Sequence, residues 1–379
     1  MDIIKLSAKV RSKPNWIEKL EDETTVQEWV GQLKQRPGMT KEHIDYFVAE
    51  LRYYAKLQRA NDGSGAKLSG VDMVWTMTID DSDTLAHDFR HHVDSKFKNP
   101  TDSEDRPTSD DPNSARTDPG PKHTTYCAIY PSYYSLVYGK TSILERPAKS
   151  PIDALDPPSF GSIPESFYAW KQAICELNQR MVGDSSFIPI NEKYLEYCSR
   201  MRHWLPADIH VNDDGSVAFK SYINDLHPGT YPETYTTIAR IIARCLPVLE
   251  QVLTDWKHPR DLLGSVEIKQ GLVVCYPNVY QHMIRCDPPR DSSGIPKDSS
   301  SPFVMKTLTI YLVDPSVRIV STSVVPPQQK KWWVDEVSKT PLMKSLPWFV
   351  RDQIIANVDM PMSSDEAWDI ETMTTIVSL

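Results

Sequence analysis

The sequence predicts an α+β fold, a helical N-terminal half packed on an incomplete set of C-terminal strands. Two observations predict it. Up to Trp256 the long apolar patterns recur mainly at helical spacing. Between Trp256 and Trp332 the apolar runs are short and broken by Gly, Pro and Asp, which reads as strands and turns. With 379 residues, 40% of them hydrophobic, the chain can build one large domain or two smaller ones.

The first helices are predicted over Thr24 to Arg36 and Thr40 to Arg59. In the second, Ile44, Phe47, Val48, Leu51, Tyr54 and Ala55 make one apolar stripe, and Thr40 with Glu42 and His43 behind it marks the start. Val71 to Ile79 reads as a strand or a short apolar segment. Ser95 to His123 is rich in Ser, Asp, Pro and Asn and too poor in apolar side chains to offset its ordering entropy, which predicts a mobile loop. Arg290 to Ser301 is a shorter segment of the same kind. Thr124 to Leu144 holds five tyrosines, read as packing groups with a wet hydroxyl.

Ser162 to Met181 is a predicted helix, with Ser162 and Glu165 spaced as a capping box, and Ile190 to Met201 is another. Asp208 to Val211 and Val217 to Ile223 read as a hairpin across Asp213-Asp214-Gly215. Tyr231 to Trp256 is a long amphipathic helix, expected to bend or step at Pro247. Strands are then predicted at Ser265–Ile268, Leu272–Tyr276, Lys306–Val313 and Arg318–Val324. Helices and loops close the chain from Trp332. The resulting division is a helical region 1–94, a loop 95–123, a mixed core 124–334 and a helical tail 335–379.

The formal net charge is -9 and no basic run carries interleaved aromatics, which argues against nucleic acid and anionic membrane as partners. No apolar stretch approaches the ~18 residues of a membrane span. The first residues lack the apolar centre of a signal peptide, so a cytoplasmic protein is expected. None of the six cysteines forms a CxxC pair; they read as buried thiols. There is no GxGxxG, P-loop or GxSxG motif.

Gly264 to His282, GSVEIKQGLVVCYPNVYQH, has the layout strand, tight turn, strand, histidine. This is similar to metal-dependent oxygenases built on a double-stranded β-helix (jelly-roll, cupin-like). In those proteins one strand brings an imidazole to the barrel mouth and another a His-x-Asp or His-x-Glu pair. Four stretches then resemble a fungal family known as domain of unknown function 4246. They are YPSYYSLVYGKTSIL from Tyr130, WLPADIHV from Trp204, SYINDLHP from Ser221, and YLVDPSVRIVSTSVVPPQQKKWW from Tyr311. The resemblance implies an incomplete double-stranded β-helix, Fe(II) as metal and 2-oxoglutarate as co-substrate. It makes His282 the expected metal ligand, because Tyr276-Pro277-Asn278 and Gln281-His282 match the family's FPN-x-x-QH.

Two departures bear on activity. The family carries a WHVEGM-like strand, the obvious source of a His-x-Glu ligand pair, between its long helix and the GSV strand. Here Trp256 is followed by KHPRDLLGSV and that strand is missing. An exon lost at Asp261-Leu262 would leave the same trace. The family's HRK becomes Val304-Met305-Lys306, so Lys306 is left to hold a co-substrate carboxylate, without the arginine's bidentate fork. His92 with Asp94 is a replacement metal pair by spacing, as is His43 with Asp45, but ten histidines give roughly one such pair by chance. His227-Pro228 reads as a turn, with Asn224 and Asp225 capping the helix after it. The Pro326–Gln329 run, followed by Trp332 and Trp333, reads as a clamp on the barrel edge.

The expectation is therefore a non-catalytic or repurposed relative of an Fe(II)/2-oxoglutarate oxygenase. It would bind a small molecule, with or without these cofactors, and a neighbouring chain could cover its open sheet edge. The alternative is an active fungal oxygenase of secondary metabolism, or another enzyme, with a site rebuilt around His282 and Lys306.

Overall fold

The computed structural model describes residues 2–61, 63–79, 84–96, 129–130, 132–144, 146–155, 202–256, 265–278, 306–314, 319–358 and 361–377. In chain order the helices are α1 (Asp2–Arg11), α2 (Trp16–Lys19), α3 (Glu23–Lys34), α4 (Lys41–Ala60), α5 (Thr84–Lys96), α6 (Pro232–Asp255), α7 (Lys330–Lys339), α8 (Pro341–Ser345), α9 (Trp348–Ala356) and α10 (Ser364–Val377). The strands are β1 (Lys67–Leu68), β2 (Trp75–Thr78), β3 (Leu136–Val137), β4 (Arg202–His203), β5 (Ile209–Val211), β6 (Val217–Phe219) and β7 (Leu272–Cys275). The fold is α+β. Among the described residues all sheets are antiparallel and small, ordered β1-β2-β7, β3-β4 and β5-β6, and they close no barrel.

The chain divides into two units, Met1–Arg90 with Ile241–Leu312, and His91–Arg240 with Val313–Leu379. In the first unit the predicted stripe of α4 is the buried one: Phe47, Leu51, Tyr54 and Ala55 face a core with Leu6, Val10, Trp29, Leu33, Trp75 and Val248. Each large apolar side chain buried there contributes roughly 1.5–3 kcal/mol. Thr40 caps α4 as predicted, and the His43 ring completes the box by accepting the Thr40 N–H at 3.1 Å. Helix α3 starts one residue earlier than predicted because Asp22 caps it, accepting the Thr24 N–H at 3.1 Å and the Thr25 hydroxyl at 2.6 Å.

Strand β2 forms inside the predicted apolar segment and pairs with β7 in the register Trp75↔Cys275 to Thr78↔Leu272. The tight turn before β7 needs its glycine. Gly271 has φ 72°, its carbonyl accepts the Ile79 N–H at 2.8 Å, and a Cβ there would stand 2.4 Å from the Ile79 oxygen. Helix α6 runs through Pro247 and is tied at its far end by the Trp75 indole N–H, which donates to Asp255 at 2.7 Å.

Three of the four predicted C-terminal strands are corrected. Ser265–Ile268 and Lys306–Val313 join no ladder among the described residues, and Ile310, Tyr311 and Leu312 are exposed. A β-branched, apolar run fits a pleated surface, but it becomes a strand only where a partner offers a ladder. Val320–Val324 turns instead. The Val324 N–H bonds to the Ser321 carbonyl at 3.2 Å, and the Ser321 and Ser323 hydroxyls bond each other at 2.7 Å, satisfying the backbone locally.

In the second unit the predicted hairpin is present. β5 and β6 pair Ile209↔Phe219 to Val211↔Val217, Gly215 takes φ 79° in the turn, and Asp214 accepts the Ser216 N–H at 2.9 Å. The C-terminal helices are also as predicted. The helices expected at Ser162–Met181 and Ile190–Met201, most of the 95–123 loop and the Arg290–Ser301 segment lie outside the described residues. Ser95 and Lys96 end α5 rather than opening a loop. No described helix is long and apolar enough to cross a membrane.

Candidate functional site

His282 and Met305 lie outside the described residues; Lys306 is described and exposed. His92 and Asp94 are both on α5, two residues apart, and a helix sends such neighbours to different sides. His92 is half-buried with Nε2 3.9 Å from the Glu233 carboxylate, beyond hydrogen-bond reach, whereas Asp94 is exposed. His43 is committed to its helix cap, away from Asp45. Among the described residues no three His, Cys, Asp or Glu side chains gather as a metal site, so this part of the chain does not assemble an Fe(II) ligand set. Cys245 and Cys275 are free thiols, both pushed up to about 11 by burial, which leaves them protonated and poor nucleophiles at neutral pH.

What the second unit does assemble is a buried network joining all four stretches that carry the family resemblance. Asn224 is its hub. Its amide donates to the Tyr133 carbonyl at 2.7 Å, and its Oδ1 accepts from the Gln329 amide at 3.1 Å. Beside it Asp225, at φ 63°, accepts the Tyr130 N–H at 3.1 Å. The prediction that Asn224 and Asp225 cap the following helix is therefore corrected: both side chains serve the tyrosine turn instead.

Gln328 continues the network. Its amide donates to the Pro326 carbonyl at 2.6 Å, its Oε1 accepts from the Thr141 hydroxyl at 3.1 Å, and its carbonyl accepts the Met362 N–H at 2.8 Å. The Pro326–Gln329 run is thus a clamp, as its sequence suggests, but it clamps the Asn224 loop and Thr141. Thr322 brings in the fourth stretch and ties it to the Asn224 loop. Its N–H donates to the Pro206 carbonyl at 3.0 Å and its hydroxyl to Ser221 at 2.7 Å.

Two tyrosines lock the same loop. The Tyr222 hydroxyl donates to the Val325 carbonyl at 3.2 Å. The Tyr235 hydroxyl accepts the Ile223 N–H at 2.7 Å and donates to the Leu226 carbonyl at 2.7 Å. Burial pushes both phenols up, so neither ionises near neutral pH. Trp332 packs edge-on to Tyr222 and to His227, with ring centres 6.1 and 4.8 Å apart. The tyrosine run packs as expected: Tyr130 stacks on Tyr133 at 4.8 Å, and Tyr133 meets Trp368 edge-on.

Apart from the Asp225 carboxylate at its edge, the network is chemically neutral amides and hydroxyls holding one another and the backbone. It pairs no nucleophile with a base. Residue spacing does not reveal it, because its members pair across as many as 187 residues, from Thr141 to Gln328. The usable signal was the rarity of the Pro-Pro-Gln-Gln run.

The family model described as "Protein of unknown function (DUF4246)" matches residues 41–262 and 258–336. The two pieces span more than three quarters of the chain. They share residues 258–262, so the match breaks at one point between α6 and β7, with no residue of this chain separating the pieces. No curated protein and no solved structure matches.

Proposed function

The chain belongs to the DUF4246 family, and on that premise we propose that it is a non-catalytic or repurposed relative of an Fe(II)/2-oxoglutarate oxygenase, an accessory binding protein of fungal metabolism. One observation carries the reading. The family match breaks at 258–262. This supports a family segment absent from this chain at the place where the resemblance expects the His-x-Glu strand. The loss removes two of three metal ligands in the double-stranded β-helix arrangement.

The second departure points the same way. Met305 stands where an arginine would grip the far carboxylate of 2-oxoglutarate, and the adjacent Lys306 offers only a point charge. Meanwhile the stretches that carry the resemblance are occupied in holding the second unit together, a role that outlasts catalysis. The reading is a cytoplasmic protein that keeps the family's scaffold and binds a small molecule or a neighbouring chain.

Anaerobic titration of the full chain with Fe(II) and 2-oxoglutarate tests this, beside a His282→Ala control. The expected result is no charge-transfer band and no retained iron in either protein. A band in the wild type that disappears in the control would establish a working site and favour the rebuilt oxygenase.

A further inference from the structure

The turn that leads into α6 is closed by an imidazole. His227 Nδ1 accepts the backbone N–H of Gly229 at 3.1 Å and of Thr230 at 3.1 Å, and the Thr230 hydroxyl lies 3.2 Å from the same nitrogen. The His227 carbonyl takes the Thr230 and Tyr231 N–H groups at 3.2 and 3.0 Å. A Cβ at position 229 would stand 3.1 Å from His227 Cε1, so the glycine lets the ring lie against the turn. The ring also meets Trp332 edge-on, with centres 4.8 Å apart, and Trp332 meets the buried Tyr222 in the same way.

A ring nitrogen that accepts two N–H groups carries no proton. Protonation makes it a donor facing two backbone N–H donors, and those contacts to residues 229 and 230 are lost together, while the Thr230 hydroxyl turns to accept. The charged groups acting on this ring are on α7. Glu336 and Asp335 favour a proton on it and Lys339 opposes one. Lys339 Nζ is 2.6 Å from Glu336, which cancels part of that acidic pull.

We infer that His227 is an acid-released latch: protonation opens the 227–230 turn and loosens both the entry to α6 and the edge contact with Trp332. Burial, the largest influence, holds the folded imidazole below its ordinary 6.5. The latch is therefore fully closed above the unfolded value and is lost as pH falls through the folded one. Histidine is the side chain suited to such a switch near physiological pH.

Hydrogen exchange on the full chain, read at the Gly229 and Thr230 amides at about pH 7.5 and about pH 5, tests the latch. In the wild type the protection factors should drop several-fold on acidification. In His227→Asn they should stay level, because a short amide oxygen can hold the same turn without titrating. A flat wild-type profile, or an equal drop in both proteins, overturns the proposal. Should the variant fail to fold, the wild type suffices when its His227 ring titration is followed by NMR. Ring protonation without loss of protection overturns the latch, and loss of protection in step with it supports the latch.

Discussion

The two units bury polar groups in opposite ways. In the first, Arg11 and Asp72 form a buried ion pair, with the guanidinium also 3.3 Å from Ser7 and 4.1 Å from the centre of the Tyr54 ring. Glu50, 8% exposed, lies in the same cluster, and its Oε2 has no hydrogen-bond partner. In the second, Asn224, Gln328, Gln329, Thr322 and Tyr222 carry no charge. A buried ion costs several kcal/mol to desolvate and depends on its counter-ion. A buried amide costs less and depends on geometry. The first unit should therefore respond strongly to pH and to charge deletion, and the second, outside the His227 turn, mainly to loss of shape and hydrogen bonds.

The largest effect expected is for Arg11→Met. It strands Asp72 beside Glu50 without a cation and should cost about 3–5 kcal/mol in denaturant unfolding. A loss as small as that of a surface pair would break the comparison. Next, Gln329→Ala removes the donor to Asn224 and should cost about 1–3 kcal/mol, with the loss unchanged between about pH 5 and about pH 8. A pH-dependent loss would mean the network is not neutral. Tyr222→Phe deletes one hydroxyl bond to Val325 and should cost about 1 kcal/mol.

The smallest effect expected is Glu50→Gln, and it sharpens the contrast through its sign. Burial raises the Glu50 carboxyl above its ordinary 4.5, with Asp72 adding to the rise and Arg11 opposing it. The proton is thus held more tightly in the folded chain. Its stabilising contribution is full below 4.5 and is lost as pH rises through the raised value. Glu50→Gln should gain on the wild type from acid to neutral pH, measured by urea midpoint. A difference that stays constant with pH would contradict the burial of this carboxyl.

Local signals in the sequence were legible and held. Thr40 with the α4 stripe, Gly215 in its hairpin and the apolar run of β7 each depend on residues a few positions apart. Pairings across long separations were not legible. Arg11 finds Asp72 at a distance of 61 residues and Gln329 finds Asn224 at 105, and neither partner has a spacing that announces the other. Asn224 and Asp225 misled for a physical reason. Short polar side chains ahead of a helix usually cap it, but here the loop turns at φ 63° and aims them at the tyrosines. The Lys306–Val313 run misled because β-propensity reports a fit to a sheet, and no described strand lies beside it. Of the site residues, the helix explains why His92 and Asp94 diverge, a point the spacing alone does not reveal.

The proposed function turns on whether this chain carries out Fe(II)/2-oxoglutarate chemistry without the expected ligand strand. The most direct measurement is succinate production from 2-oxoglutarate by the purified full chain with Fe(II) and oxygen. The account predicts none above the protein-free control. Succinate formed by the wild type and abolished in His282→Ala would contradict it.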